Sequence, residues 1–122
     1  MKSILAGGLL ALFATCANSA VYNGNRLAEL CLGDRSFVTG YVVGMMDKAS
    51  DDIGISSIRF AGDQRLGLVV FEIENYCVPA QASVGQAVDI FCKYLTENPG
   101  ERHLPASILA AKSLSAVWPC KR

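Results

Sequence analysis

The 122-residue sequence predicts a mainly α-helical fold: a small, disulfide-stapled bundle of about four helices, with a short β-hairpin between the second and third. Three observations predict it. Segments around 84–95 and 104–118 repeat apolar residues at helical i, i+3, i+4 spacing. Cys31, Cys77, Cys92 and Cys120 are spread over the region after a leader-like N-terminus, and an even cysteine number in a small exported domain reads as a disulfide framework. Between the helical segments, β-branched and aromatic runs flank Gly62-Asp63, as the arms of a hairpin do.

The N-terminus comes first. Met1-Lys2, the apolar run Ile4 to Ala14 and the small residues Ala17-Asn18-Ser19-Ala20 have the layout of a secretory signal peptide, too short to span a bilayer as a helix. Residues 1–19 are read as the signal, with cleavage after Ser19 or Ala20, and 20–122 as one domain. Cys16 leaves with the leader; Phe13-Ala14-Thr15 is a poor match to the pattern that lipoprotein processing prefers. The expected location is therefore the periplasm.

The elements follow in order. Asn23 or Asn25 caps a first helix through Leu27, Leu30 and Cys31, with Gly33 as its stop. Asp34 opens a longer second helix on which Phe37, Tyr41, Met45 and Lys48 share a face, with Val38 and Val42 beside it. Gly40 and Gly44, four apart, suggest close approach of a neighbouring helix. Ile55, Ile58 and Phe60, then Leu66 to Ile73, form the arms of the predicted hairpin; a short buried helix from Gln64 to Tyr76 is the competing reading. Ser83 and Gln86 form a capping box for a helix whose inner face is Val84, Ala87, Val88, Phe91, Tyr94 and Leu95, ended by Asn98-Pro99-Gly100. The last helix carries Pro105 in its first turn and takes Leu104, Ile108, Ala111, Leu114 and Trp118 as its inner stripe, with Pro119 as its stop.

Composition excludes several functions. Lys2 is the only charged residue of the leader, which leaves ten basic against eleven acidic residues. A near-neutral domain has no concentrated basic face for nucleic acid or for an anionic membrane surface. No second apolar stretch is long enough to cross a bilayer. Disulfides of about 2–4 kcal/mol each are a large share of a total stability of about 5–15 kcal/mol, so reduction is expected to weaken the fold.

Catalytic chemistry is equally sparse. His103 is the single histidine, beside Glu101 and Arg102, and reads as a helix-start residue bonding locally. A Cys-His pair needs a free thiolate, and no G-x-S-x-G marks a serine nucleophile. The cysteine separations are too long for a zinc knuckle, and Asp47, Asp51 and Asp52 read as a solvated face. Neither an enzyme nor a cofactor is expected. A domain of this kind acts by binding another protein.

The C-terminal half is more specific. Cys77-Val78-Pro79, Ser83-Val84-Gly85-Gln86, Lys93-Tyr94-Leu95-Thr96-Glu97-Asn98-Pro99, then Glu101-Arg102-His103-Leu104-Pro105-Ala106-Ser107 and Val117-Trp118-Pro119-Cys120 resemble the Rap/Tai family of type VI secretion immunity proteins. Leu30-Cys31 and Gly40-Tyr41-Val42-Val43-Gly44 match the family's upstream elements. The resemblance implies a periplasmic helical protein, often a homodimer, that inhibits a peptidoglycan amidase toxin by occluding its active-site groove. It also makes His103 to Ser107 a helix-entry device. Two departures stand out. Val38 replaces a cysteine common in the family, and Cys92 is an extra one. Set against the family pattern, this suggests rewired pairing of Cys31 with Cys92 and Cys77 with Cys120, although four cysteines permit three pairings. The second departure is the long Ile53 to Tyr76 stretch, where a partner-binding element is expected: Phe60, Phe71 and Tyr76 if outward-facing, with Asp63 and Arg65 beside them.

The alternative function is a small periplasmic acid-stress chaperone. Eleven acidic residues and 52% hydrophobic composition permit it without indicating it.

Overall fold

A computed structural model describes residues 20–59 and 76–121, with the backbone course alone for 53–59. Four α-helices account for most of it, and among the described residues there is no sheet, only two isolated antiparallel bridges, Asn23 with Pro105 and Tyr76 with Pro119.

Local chemistry sets the helix limits. Helix α1 spans Gly24–Leu32; the Asn23 side chain accepts from the Arg26 N–H at 3.1 Å, and the Gly33 N–H donates to the Leu30 carbonyl at 3.2 Å. Helix α2 spans Arg35–Arg59, and Asp34 accepts from the Ser36 N–H at 2.9 Å. That backbone hydrogen bond holds the Asp34 carboxyl below its usual range. Helix α3 spans Val84–Glu97 behind a complete capping box: Gln86 N–H donates to Ser83 Oγ at 3.2 Å and Ser83 N–H to Gln86 Oε1 at 2.8 Å. A 3-10 turn, Pro99–Glu101, leads to helix α4, Ala106–Val117, which stops where the Trp118 N–H reaches the Leu114 carbonyl at 2.7 Å.

Helix α3 is the central element and packs on each of the other helices. Its Phe91 and Leu95 share one buried core cluster with Leu27 of α1, Val38 and Val42 of α2, and Leu109 and Leu114 of α4. Helix α2 packs on α1 and α3 but only weakly on α4, so those two helices diverge on one side of the molecule.

Several sequence expectations change, among them Val84, expected on the inner face of α3 but 39% exposed at its first turn. Helix α2 runs on through Arg59, so Ile55 and Ile58 belong to a helix and not to the first arm of a hairpin. Extending a helix adds a hydrogen bond per residue without a new nucleus, and β-branched residues cost only a few tenths of a kcal/mol against that. The remainder of the expected hairpin lies outside the described residues. In α4 the inward residues are Ala106, Leu109, Ala110, Ser113 and Leu114, whereas Ile108, expected inside, is 51% exposed. Buried Ser113 is satisfied by donating to the Ala110 carbonyl at 2.8 Å, which lets a polar residue occupy the core stripe. Gly40 and Gly44 do not receive a neighbouring helix: among the described residues, a Cβ at either would meet nothing within 4 Å.

Two disulfides staple the bundle. Cys31–Cys92 ties α1 to α3 and Cys77–Cys120 ties the segment before α3 to the chain beyond α4, with Cα separations of 5.6 and 4.9 Å. They enclose 61 and 43 residues of sequence separation, and loop entropy gives each about 4 kcal/mol. The two differ in surroundings far more than in loop length.

Candidate functional site

The chemistry-bearing side chains are engaged in structure. All four cysteines of the described residues are in disulfides. His103 is exposed and its Nδ1 lies 3.0 Å from the Gly100 carbonyl, a local contact. Asp47 and Asp51 are exposed, and Asp52 pairs with Lys48 on the next turn of α2. Among the described residues no three His, Cys, Asp or Glu side chains are placed to hold a metal ion.

The distinctive stretch from Tyr94 to Ser107 builds the fold. The Arg102 guanidinium donates from Nε to the Leu95 carbonyl at 2.5 Å and from Nη2 to the Thr96 carbonyl at 3.3 Å, serving acceptors left open near the end of α3. Its own carbonyl accepts from the Asn25 N–H at 2.9 Å, and Leu104 O accepts from the Gly24 N–H at 3.1 Å. Ala106 N–H donates to Tyr22 O at 3.0 Å. The start of α1 is thereby locked against the start of α4. Gly24 is required there, because a Cβ would lie 2.4 Å from Leu109 Cδ1 and 2.8 Å from Arg102 Cα.

Glu101 completes this clasp. It accepts from Lys112 Nζ at 2.8 Å on each oxygen and from the Tyr94 hydroxyl at 2.5 Å. The Lys112 hydrogen bond, then that from Tyr94, holds the Glu101 carboxyl below its usual range. The same contacts push Tyr94 and Lys112 up, Tyr94 chiefly through Glu101.

The opposite side of α4 is open. Where α2 and α4 diverge, a groove of about 560 Å³ is lined by Tyr41, Gly44, Met45, Lys48 and Ala49 from α2, by Ser107, Ile108 and Ala111 from α4, and by Tyr76. Burial pushes the Tyr41 phenol up, against a hydrogen bond with Ser107. At its edge Tyr22 stacks edge-on against Phe37 and Tyr41, with ring centroids 5.0 and 6.1 Å apart, and Phe37 is 40% exposed. Apolar and aromatic groups with few charges are the composition of a protein-binding surface.

The comparisons with known proteins bear on which partner that is. Residues 23–120 match the family model of Rap1a immunity proteins, which takes in every helix of the described residues and both disulfides. The chain belongs to this family. No curated protein and no solved structure matches it. Membership gives this Rap1a family protein a toxin-immunity role, which implies binding of a cognate toxin.

The expected contact residues of this immunity protein are placed as follows. Tyr76 is buried, at 7% exposure, and packs in the core, so it is not an outward-facing anchor; it forms one wall of the groove. Its backbone is paired with Pro119 by an isolated antiparallel bridge. Phe60, Asp63, Arg65 and Phe71 lie outside the described residues. The sequence reading missed the groove itself. Its one local signal was the pair Gly40 and Gly44 on the face of Tyr41, which was assigned to helix packing.

Proposed function

We propose that this protein is a periplasmic immunity protein, exported by its leader, that binds a type VI-secreted peptidoglycan amidase and occludes the toxin's active site. The observation that carries the reading is the Rap1a immunity family match over residues 23–120. The site chemistry agrees with it: an inhibitor that acts by occlusion needs a surface, and the α2–α4 groove with Tyr41 and exposed Ile108 is an apolar surface beside a stapled core. The cognate toxin is the occupant to which this face is assigned. The homodimer that the resemblance implies belongs to the same reading.

The test is capture by the mature, oxidised protein of the products encoded beside its gene, followed by assay of peptidoglycan cleavage. Capture of an amidase whose cleavage is lost in the complex is the expected result. Capture of a toxin with another activity overturns the amidase assignment, and capture of nothing overturns the toxin-binding function for this chain.

A further inference from the structure

We propose that Cys77–Cys120 is a redox-addressable strap: a dithiol reductant opens it while Cys31–Cys92 stays closed, and opening it frees the Tyr76 wall of the groove. That consequence for toxin binding rests on the function proposed above; the order of reduction does not.

The two bridges sit in unlike surroundings. Cys31–Cys92 joins α1 to α3 across the packed bundle, where Cys92 is 8% exposed and Leu27, Val88 and Phe91 hold the helices together. An attacking thiolate must approach a sulfur directly, and here Cys92 is buried and Cys31 half-buried, so the bridge is less accessible than one with an exposed cysteine. Cys77 is exposed, in the loop ahead of α3, and Cys120 lies past the end of α4, so neither is in a helix. The backbone beside the bridge is held by the Cys77 N–H to the Trp118 carbonyl at 2.8 Å and by the Tyr76–Pro119 bridge. Loop segments of this kind open at less cost than a helix core.

The exchange balances. One thiolate of the dithiol attacks a sulfur of the pair and forms a mixed disulfide, releasing the other cysteine as a thiolate that takes up a proton. The second thiol of the donor then displaces the remaining cysteine. The donor leaves as a disulfide, having given two electrons and two protons to Cys77 and Cys120. Freed of the bridge, the neighbouring Tyr76 loses the covalent tie that holds it against the α2–α4 groove.

The experiment is stepwise reduction of the mature, oxidised protein with dithiothreitol, alkylation at each step, peptide mapping and far-ultraviolet circular dichroism. Trp118, the chain's single tryptophan, reports on the strap because its carbonyl holds the Cys77 N–H. The expected first product is alkylated at Cys77 and Cys120 only, keeps its helical signal and shows altered Trp118 emission. First labelling at Cys31 and Cys92, or simultaneous loss of both bridges, overturns the order of reduction. A first step that leaves Trp118 emission unchanged overturns the release. A Cys77→Ser/Cys120→Ser variant gives the same readout without reductant: helical signal retained with Trp118 emission changed is expected, and helix lost with the bridge overturns the strap. Each result is obtained without toxin, so the strap and the immunity reading fail separately.

Discussion

Helix α4 has two sides built from neighbouring residues with opposite fates. Leu109 is wholly buried, and it and Arg102 lie so close to Gly24 that a single added carbon there has no room. Ile108, one residue earlier, is half exposed on the groove, across from Gly44, where an added carbon meets nothing among the described residues. The Arg102 to Ser107 stretch therefore serves the closed side, as the device that fastens α1 onto α4. Among the described residues the open side has no such fastening, and that is what leaves it to a partner. A distinctive motif here marks the scaffold, and the plainer sequence beside it marks the surface.

The strongest way to break this comparison is at Gly24. Gly24→Ala forces a Cβ against the Arg102 backbone, which cannot rotate away as the tip of Leu109 can. Overpacking of this kind costs about 1–3 kcal/mol, and Gly24→Val is expected to exceed Gly24→Ala. Urea unfolding of the mature protein measures it; a midpoint equal to wild type would show that the closed side has slack.

Ile108→Asp tests the open side. An exposed substitution is expected to change stability by less than about 0.5 kcal/mol. Loss of a hot-spot side chain weakens binding by about 2 kcal/mol or more, on the order of 30-fold in Kd. Calorimetric titration with the captured toxin is the measurement, and an unchanged affinity would remove the groove from the interface. Gly44→Ala sharpens the contrast with Gly24 in the opposite direction. With space for the methyl group and a helical backbone, it is expected to stabilise by about 0.5–1 kcal/mol, read from the same urea curves.

What could be read from the sequence was whatever a few adjacent residues decide. Asn23, Gly33 and the Ser83–Gln86 pair act within one helical turn, and each stands where local capping rules put it. The phase of α4 was not readable in the same way. Alanine, leucine and isoleucine occur all round that helix, and buried Ser113 hides the true stripe because its hydroxyl is satisfied within the helix. The extension of α2 through Arg59 went against β-branched composition, since propagation of an existing helix prevailed over local preference. Beyond the glycines of α2 the groove had no local signal: Tyr41 and Ser107 are brought together only by the way α3 orders its neighbours.

The smallest effect expected lies in the Tyr94–Glu101–Lys112 clasp on the closed side. Glu101 is depressed from its ordinary value of 4.5, first by Lys112 and then by Tyr94. Its contribution to stability is thus present above 4.5 and lost as pH falls from there through the lower value it holds in the folded protein. Lys112 and Tyr94 are raised from 10.5 and 10.0, so their contribution is present below those values and lost as the pH climbs through their folded values. The clasp thus weakens at both extremes and is constant between them. Its groups are partly exposed to solvent, and screening keeps each contact small. Glu101→Gln is expected to flatten the acid limb of the stability profile below 4.5 while leaving the groove variants' behaviour unchanged. Urea midpoints for wild type and variant from pH 3 to 7 check this. Parallel acid limbs would mean that other carboxylates govern the loss. A collapse of helical signal with apolar dye binding, appearing in the wild type only as the pH falls below 4.5 and already present at pH 7 in Glu101→Gln, would make the clasp an acid release and favour a chaperone-like role over a constitutively folded inhibitor.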